Sequence, residues 1–345
     1  MKYNQLGRTG LFVSELCLGA MTFGGDGMWT AIGTLQQEES SALVKQAVDA
    51  GVNFIDTANV YSNGLSERIT GQALKDLGIA RDEIVVATKA MGPMGDGVNQ
   101  RGTSRYHLLG QIDASLERLG LDHVDLYQIH GWDAATPLDE TLRALEDIVR
   151  SGRARYVGVS NWAAWQIAKA LGRADLLGTE RFASLQAYYS LAGRGIEREI
   201  LPMLDSEGLG LMVWSPLAGG FLSGKYTREG ETEGRRAEFD FPPIDKDAAY
   251  DVIDVMRGVA SHHGATVPQV ALAWLLAKPA VTTVIVGARR PDQLEDNLGS
   301  VDLALSADEL ERLDAAMPLP GEYPGWMLER QGAYRRGARA GVPED

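Results

Sequence analysis

The chain has 345 residues, of which 45% are hydrophobic and 23% are charged, as in an ordinary globular protein. Its 33 basic and 47 acidic residues give a net charge of −14, which disfavours nucleic acid and anionic membranes as partners. A single cysteine, Cys17, excludes an internal disulfide framework and a thiolate zinc site.

The hydropathy pattern predicts neither a signal peptide nor a membrane helix. The N-terminal segment MKYNQLGRTG lacks the apolar run of a signal peptide. No segment reaches the roughly 18 consecutive apolar residues that a membrane helix requires. We therefore expect a cytoplasmic protein that binds no membrane.

Short apolar segments rich in β-branched residues alternate with longer amphipathic segments. In chain order, strands are predicted over 14–19, 52–56, 83–89, 123–130, 155–160, 182–187, 209–214 and 282–287. Helices are predicted over 37–50, 66–77, 104–119, 138–150, 162–172, 194–207 and 290–299. The repeated strand–helix order predicts an α/β fold, a (β/α)8 TIM barrel, with an open doubly wound sheet as the alternative.

Three segments fall outside the repeat. The first dozen residues predict a hairpin at the bottom of the barrel. The polar segment 222–243 predicts a loop excursion after strand 7, and we expect it to act as a flap over a bound cofactor. A further helix over 307–316 precedes a C-terminal tail that we expect to pack on the barrel. No domain boundary is evident, so residues 1–345 are predicted to form a single domain.

Polar side chains follow the predicted strands where each strand ends. Asp56 ends the second strand, Tyr61 lies in the following loop, and Lys89 and His130 end the third and fourth strands. In a TIM barrel the carboxyl ends of the strands meet at one face, where the chemistry takes place. We therefore expect these four side chains to share a pocket.

Together the four side chains would form a proton relay directed at a carbonyl group. Tyrosine has a pKa near 10, and a nearby Lys89 ammonium would lower the pKa of Tyr61. Asp56 would supply the counter-charge for Lys89, and His130 would hold the reacting oxygen by a hydrogen bond. The set contains no strong nucleophile and no metal, so a partner must supply the electrons.

Six ordered motifs give the chain a specific resemblance. The segments FIDTANVYSNGLSE, VVATK, DLYQIH, VGVSN, WSPLAGG and VGARRPDQLEDN resemble those of the aldo-keto reductases, from about Tyr3 to Met317. The resemblance implies a (β/α)8 barrel and hydride transfer between NADPH and an aldehyde or ketone, or the reverse reaction. It places the catalytic tetrad of the family on Asp56, Tyr61, Lys89 and His130.

The resemblance also implies a cofactor site for NADP, with NAD as the alternative, and a site for a small carbonyl or alcohol substrate. The cofactor residues would be Ala20, Met21, Asp56, Ser160, Asn161, Gln186, Trp214, Ser215, Leu217, Gly219, Lys225, Gly287, Arg289, Gln293, Asp296 and Asn297. Among these, Trp214 would stack on the nicotinamide, and Ser160 and Asn161 would hold its carboxamide. The substrate would contact Tyr61, His130 and Trp132.

The segment matched to the 2′-phosphate site departs from the family pattern. Gln293 stands where many members carry an arginine, and Gly287-Ala288 stands where many carry a Lys-Ser pair. Arg289 would replace the missing positive charge, because a guanidinium group binds phosphate through two hydrogen bonds. Arg235 and Arg236 of the excursion are the alternative.

Other functions are possible for the same fold. Some barrels of this kind serve as cofactor-sensing subunits with weak catalysis. Alternatively, the chain is an enzyme whose physiological reaction is the oxidation of an alcohol or a sugar. A metal site is not expected, because the pair His262-His263 has no third ligand at a suitable spacing. The segment from Gly219 to Lys225 imitates a Walker loop but has Tyr226 where serine or threonine would bind magnesium, which argues against a nucleotide triphosphatase.

Overall fold

A short β-hairpin closes the amino-terminal end of the barrel, as the sequence predicts. The structure is a computed structural model that describes residues 1–25, 29–30, 32–228, 236 and 239–336, the side chains of 335 and 336 excepted. Strand β1 (Tyr3–Gln5) pairs antiparallel with β2 (Phe12–Ser14). Between them Gly7 has a φ of +58°, and a Cβ there would lie 2.4 Å from the Ala183 oxygen. Glycine therefore suits this position both for its backbone angle and for the close approach.

Eight parallel strands close into a barrel. In chain order they are β3 (Leu16–Gly19), β4 (Phe54–Asp56), β5 (Val85–Ala90), β6 (Val124–Ile129), β7 (Ala154–Ser160), β8 (Ser184–Tyr188), β9 (Gly210–Trp214) and β10 (Val281–Val286). Each strand pairs with its neighbour in the chain, and β10 pairs with β3 to complete the closure. The predicted (β/α)8 TIM barrel is confirmed, and the open sheet is excluded.

Helices cover the outside of the barrel. They are α1 (Gln37–Asp49), α2 (Leu65–Asp76), α3 (Arg105–Leu119), α4 (Leu138–Arg150), α5 (Ala164–Leu177), α6 (Ile200–Glu207), α7 (Lys246–His263), α8 (Val267–Leu276), α9 (Pro291–Leu298), α10 (Ala307–Ala316) and α11 (Gly325–Arg336). Among the described residues, none of these helices is both long enough and apolar enough to cross a bilayer.

Helices α7 and α8 are not among the helices predicted from the sequence. The side chain of Asp245 accepts a hydrogen bond from the amide of Ala248 and caps the N-terminus of α7. Thr266 and Gln269 form a capping box at the start of α8. The two helices connect the segment after β9 to β10 and complete the seventh strand–helix repeat.

The tail after α10 differs from the expected packed segment. Arg198 contacts the Glu322 carboxylate at 2.7 Å and the Pro320 oxygen at 3.2 Å, which attaches the start of the tail to the barrel. Helix α11 follows, and its side chains Trp326 and Tyr334 are 51% and 66% exposed. The described part of the tail is therefore anchored at its start and ends in an exposed helix.

Side chains inside the barrel form an apolar layer beneath a polar layer. Phe54, Ala87 and Leu126 belong to the apolar layer, together with residues of the hairpin. Two residues further along the same strands β4, β5 and β6 stand Asp56, Lys89 and Gln128. Because strand side chains alternate between faces, each polar residue shares the inward face of the apolar residue below it. The fold thus supports a polar site on a packed apolar floor.

Candidate active site

Lys89 connects three groups in the buried polar layer. Its ammonium nitrogen lies 2.5 Å from Oδ2 of Asp56, 2.9 Å from the main-chain oxygen of Thr57 and 3.2 Å from the hydroxyl oxygen of Tyr61. Lys89 is fully buried, and Asp56 and Tyr61 are 2% and 8% exposed. Tyr61 is brought to the layer by a 3-10 turn, Tyr61–Gly64, that follows β4. The structure therefore brings three of the four predicted catalytic side chains into contact.

His130 and Trp29 pack edge-on against the ring of Tyr61. The ring centroids of Tyr61 and His130 are 5.8 Å apart, and those of Tyr61 and Trp29 are 5.3 Å apart. His130 follows β6, where its main-chain amide donates to the Ala90 oxygen. The fourth predicted side chain thus borders the same phenol, and Trp29 fixes the ring from another side.

Two glutamine side chains orient the carboxylate of Asp56. Gln128 and Gln186 donate hydrogen bonds of 3.0 and 2.9 Å to its Oδ1, and Lys89 occupies Oδ2. Gln128 is fully buried and lies in register with Lys89 on the neighbouring strand. The sequence-based reasoning missed Gln128, although its place two residues after Leu126 on the same strand face is a signal that the sequence contains. Gln186, expected at the cofactor, has its amide group on Asp56 here.

Burial and the charges in this layer together keep both Tyr61 and Lys89 protonated. Burial raises the pKa of Tyr61 above its ordinary value, and the opposing attraction of the Lys89 ammonium does not cancel that effect. Burial alone would lower the pKa of Lys89, but the Asp56 carboxylate and Tyr61 raise it above its ordinary value. Lys89 lowers the pKa of Tyr61, as expected, but burial outweighs its effect, and the resulting pKa lies above the ordinary value. The phenol retains its proton at neutral pH.

His130 is neutral in this environment. Burial and repulsion by the Lys89 ammonium lower its pKa to about 3. A neutral imidazole has one donor and one acceptor nitrogen. His130 is thus suited to hydrogen bonding with an uncharged oxygen.

A hydrogen-bonded connection joins the carboxyl ends of β6, β7 and β9. The indole nitrogen of Trp214 donates to Oδ1 of Asn161 at 3.0 Å, and Nδ2 of Asn161 donates to the main-chain oxygen of His130 at 3.1 Å. Next to Asn161, the hydroxyl of Ser160 is buried and has no hydrogen-bond partner in the described part of the chain. A buried unpartnered hydroxyl at this point is suited to a polar group of a ligand.

The loop after β9 carries the residues expected around a pyrophosphate, and its main chain is unusual. Ser215, Ala218 and Gly219 all have positive φ, and the Ser215 hydroxyl accepts a hydrogen bond from the Gly219 amide. Such turns gather main-chain amides into concavities that bind anions. Leu217 lies within this turn, and Lys225 follows it with its ammonium over the ring of Tyr226.

The described part of the excursion reaches Trp214. The ring of Phe241 stacks on the indole at 5.7 Å with an angle of 7°, and Tyr188 lies against the same indole at 5.2 Å. A Cβ at Gly219 would lie 2.3 Å from the Phe241 oxygen, so the excursion and the loop after β9 are in close contact. The segment predicted as a flap therefore adjoins the indole predicted to hold the nicotinamide.

The segment expected around adenosine follows β10. Arg289 donates to the main-chain oxygen of Ile32 at 3.2 Å, and its amide donates to the Gln293 side chain. Asp296 accepts from the Thr266 hydroxyl that begins α8. Gly287 is exposed, and Asn297 is buried within α9. The guanidinium of Arg289 is thus placed between this segment and the loop after β3, where Ala20 and Met21 form a 3-10 turn.

Arg236, one of the two alternative ligands for the 2′-phosphate, is already bonded within the protein. The Arg236 side chain is 3% exposed and is directed inward, where it donates to the main-chain oxygens of Ala218 and Pro242. These bonds attach the excursion to the loop after β9. Arg235 lies outside the described residues.

Trp132, expected at the substrate, lies in an aromatic cluster beside α5. Its ring is 4.7 Å from Trp162 and 6.0 Å from Trp165. The ring contacts of Trp132 are therefore on the α5 side of the loop after β6, whereas Trp29 contacts the phenol directly.

The histidine pair acquires a third group in the fold. Glu309 of α10 lies beside His262 and His263 at the end of α7, although 46 residues separate it from His263 in the chain. Sequence spacing alone does not reveal this cluster.

Comparisons with known proteins agree with the geometry. Residues 15–318 match the model of the Aldo/keto reductase family. The chain is 39% identical over 334 residues to a Bacillus subtilis (strain 168) protein named "Uncharacterized oxidoreductase YrpG", covering 93% of this chain and 97% of that protein.

Two further relatives carry different names. A "Probable voltage-gated potassium channel subunit beta" from Arabidopsis thaliana is 38% identical over 332 residues, covering 92% of this chain and 98% of that protein. The "Versiconal hemiacetal acetate reductase" of Aspergillus parasiticus is 36% identical over 347 residues, covering 94% and 99%.

Proposed function

The chain belongs to the aldo/keto reductase family, and on this premise we propose that it is an oxidoreductase that transfers a hydride between NADP(H) and a carbonyl or alcohol substrate. The observation that carries the proposal is the buried contact of Lys89 with both Asp56 and Tyr61. His130 borders the same phenol, so a proton donor and a neutral hydrogen-bonding group lie side by side.

In the reductive direction, Tyr61 donates a proton to the substrate oxygen. NADPH, when bound, supplies the hydride that the carbonyl carbon accepts. As the C=O bond becomes a single bond, negative charge develops on oxygen, and the phenol transfers its proton there. His130 positions that oxygen by a hydrogen bond, and Lys89 stabilises the phenolate that remains. In the reverse direction the phenolate accepts the hydroxyl proton.

The polar groups at the mouth of the barrel fit a dinucleotide. Ser160 offers a buried unpartnered hydroxyl to the nicotinamide carboxamide, with Asn161 adjacent. Trp214 offers an aromatic face, and the amides of the loop after β9 suit the pyrophosphate. The positive charge of Arg289 favours NADP over NAD, because a guanidinium group pairs with the 2′-phosphate.

A cofactor-binding module with little catalysis is the alternative, and the Arabidopsis relative supports it by name. The complete set of Asp56, Tyr61, Lys89 and His130 favours the enzyme, because a binding module has no need of a buried proton donor. The name of the Aspergillus relative supports a reductase acting on a small organic molecule. Oxidation of an alcohol or sugar would use the same side chains in reverse.

The test is Tyr61→Phe, with Tyr189→Phe as the matched control. Both changes remove one buried phenol hydroxyl, but that of Tyr189 binds Glu197 away from Lys89. We expect Tyr61→Phe to lower carbonyl reduction by about 10²–10⁴-fold, the usual contribution of a proton donor, with NADPH affinity unchanged. The measurements are the loss of absorbance of reduced nicotinamide over a panel of aldehydes and ketones, and direct titration of NADPH.

Near wild-type reduction by Tyr61→Phe would refute Tyr61 as the proton donor. Tight NADPH binding by the unmodified protein, without turnover of any carbonyl or alcohol in either direction, would favour the binding module instead.

A further inference from the structure

A cluster of three metal-ligating side chains lies at the junction of α7 and α10, on a different part of the chain from the candidate active site. Nδ1 of His262 is 3.0 Å from Oε1 of Glu309, and Nε2 of His263 is 2.9 Å from the same oxygen. The three ligand atoms lie within 4.8 Å of one another. Two imidazoles therefore converge on one carboxylate oxygen.

The carboxylate is fixed by its own helix before it meets the histidines. Oε2 of Glu309 accepts hydrogen bonds from the amide of Ser306 at 2.8 Å and from its hydroxyl at 2.9 Å. These are the bonds of a capping box at the start of α10. They leave Oε1 directed at the two rings. Partners of this kind hold a ligand in place in metal sites and strengthen binding.

We propose that His262, His263 and Glu309 bind a zinc ion that links the end of α7 to the first turn of α10. Two histidines and one glutamate, completed by water, are an established zinc ligand set. At bond lengths of about 2.1 Å, tetrahedral ligands stand about 3.4 Å apart. The two nitrogen–oxygen distances of 3.0 and 2.9 Å need to lengthen slightly to admit the ion, and the two imidazole nitrogens, which lie within 4.8 Å of each other, need to move closer together.

Electrostatics also favour a cation here. The histidines occupy the last turn of α7, just before its capping residue Gly264, and the carboxyl end of a helix carries partial negative charge. The carboxylate of Glu309 adds a full negative charge, and the chain as a whole carries −14. The side chain of Glu309 is 6% exposed, so little water competes for its charge.

The exposure of the two histidine side chains indicates that the site is open to solvent. The side chains of His262 and His263 are 75% and 24% exposed, so the ion would reach solvent directly. An open surface position is suited to a stabilising and exchangeable ion. Helix α7 follows the excursion and packs on α10, so the ion would fix the helix that leads away from the predicted flap.

The test is titration of the full-length protein, freed of metal with a chelator, with zinc chloride alone. We expect one zinc ion per chain by calorimetry. At a hundredfold excess over the dissociation constant, the melting temperature should rise by about 4 °C. Cobalt chloride provides a second probe, because a site of this ligand set gives visible absorption bands.

The variants separate metal binding from helix capping. Glu309→Gln keeps a side chain that completes a capping box but removes the anionic ligand, and His263→Ala removes one imidazole. Each should weaken zinc binding by about 100-fold or more. His123→Ala is the control, because His123 lies on a different part of the surface, 3.9 Å from Asp125.

Zinc binding by Glu309→Gln at the unmodified affinity would overturn the proposal, as would the absence of zinc binding to the unmodified protein. The outcome does not depend on the proposed reductase activity, because none of the three side chains belongs to the candidate active site.

Discussion

Substitutions in the buried pair of Lys89 and Asp56 can separate the contribution of Lys89 to stability from its contribution to catalysis. Lys89→Met removes the ammonium and leaves the Asp56 carboxylate buried, with its hydrogen bonds from Gln128 and Gln186. The two side chains of the pair are 0% and 3% exposed. Removing one partner of such a pair costs about 3–5 kcal/mol. Because the two glutamine amides still donate to Asp56, we expect the free energy of unfolding to fall by about 3 kcal/mol, the lower end of that range.

A second substitution should restore part of that stability. In the Lys89→Met background, Asp56→Asn removes the stranded charge, and its Oδ1 still accepts hydrogen bonds from both glutamines. Replacing both charges of a buried pair is often neutral for stability. We therefore expect the double variant to be more stable than Lys89→Met by about 1–2 kcal/mol, because the uncompensated buried charge is gone.

Activity should not return with stability. Without the Lys89 ammonium the Tyr61 phenolate loses the positive charge that contacts it, so we expect carbonyl reduction with NADPH to stay about 10²–10⁴-fold below that of the unmodified protein in the single and double variants. Urea unfolding gives the stability of each protein, and initial rates give the activity. A double variant that is no more stable than Lys89→Met would refute the ion-pair argument. Recovery of activity in the double variant would refute the chemical role of Lys89.

Four further predictions follow from the site. Because burial raises the pKa of Tyr61, the reduction rate should be level from about pH 6 to 9 and fall only above about 10; a fall centred near pH 7 would contradict this reasoning. Arg289→Ala should weaken the binding of NADPH far more than that of NADH in direct titrations. The control Arg290→Ala, which removes an exposed partner of Asp292, should affect the binding of neither cofactor. Equal losses of affinity for both cofactors would place the 2′-phosphate elsewhere. Gln128→Leu should lower turnover by about tenfold or more and leave the affinity for NADPH unchanged, because a hydrogen bond to a charged group contributes about 1.5–3 kcal/mol. Unchanged rates would show that Gln186 alone orients the Asp56 carboxylate. Phe241→Ala should reduce the protection that NADPH gives the excursion against limited proteolysis, and identical cleavage with and without NADPH in the unmodified protein would refute the predicted flap.

The barrel and the meeting of its strand ends could be predicted from local patterns. Each predicted strand of the sheet overlaps the strand observed, because near-continuous apolar runs separated by amphipathic segments leave few alternative arrangements. Once eight strands close in parallel, residues at their carboxyl ends must face one mouth. Asp56 and Lys89 could be grouped on that basis, without knowledge of side-chain conformations.

The protonation state of Tyr61 could not be predicted in the same way. The sequence indicates a lysine near the phenol, and a single ammonium would lower its pKa. Whether burial outweighs that attraction depends on solvent exclusion by Trp29 and His130, which come from distant loops. The charge of Asp56 further offsets the lysine. The sign of the shift is a property of the packed site.

Contacts between distant segments account for the other omissions. Gln128 lies within β6, two residues after Leu126 on the same strand face, and its role appears only when the fold brings its side chain to Asp56 on another strand. The approach of Glu309 to His262 likewise depends on how α7 and α10 pack, which no spacing rule contains. Side chains that act through a neighbour on another element therefore require the fold, whereas residues at strand ends require only the order of the strands.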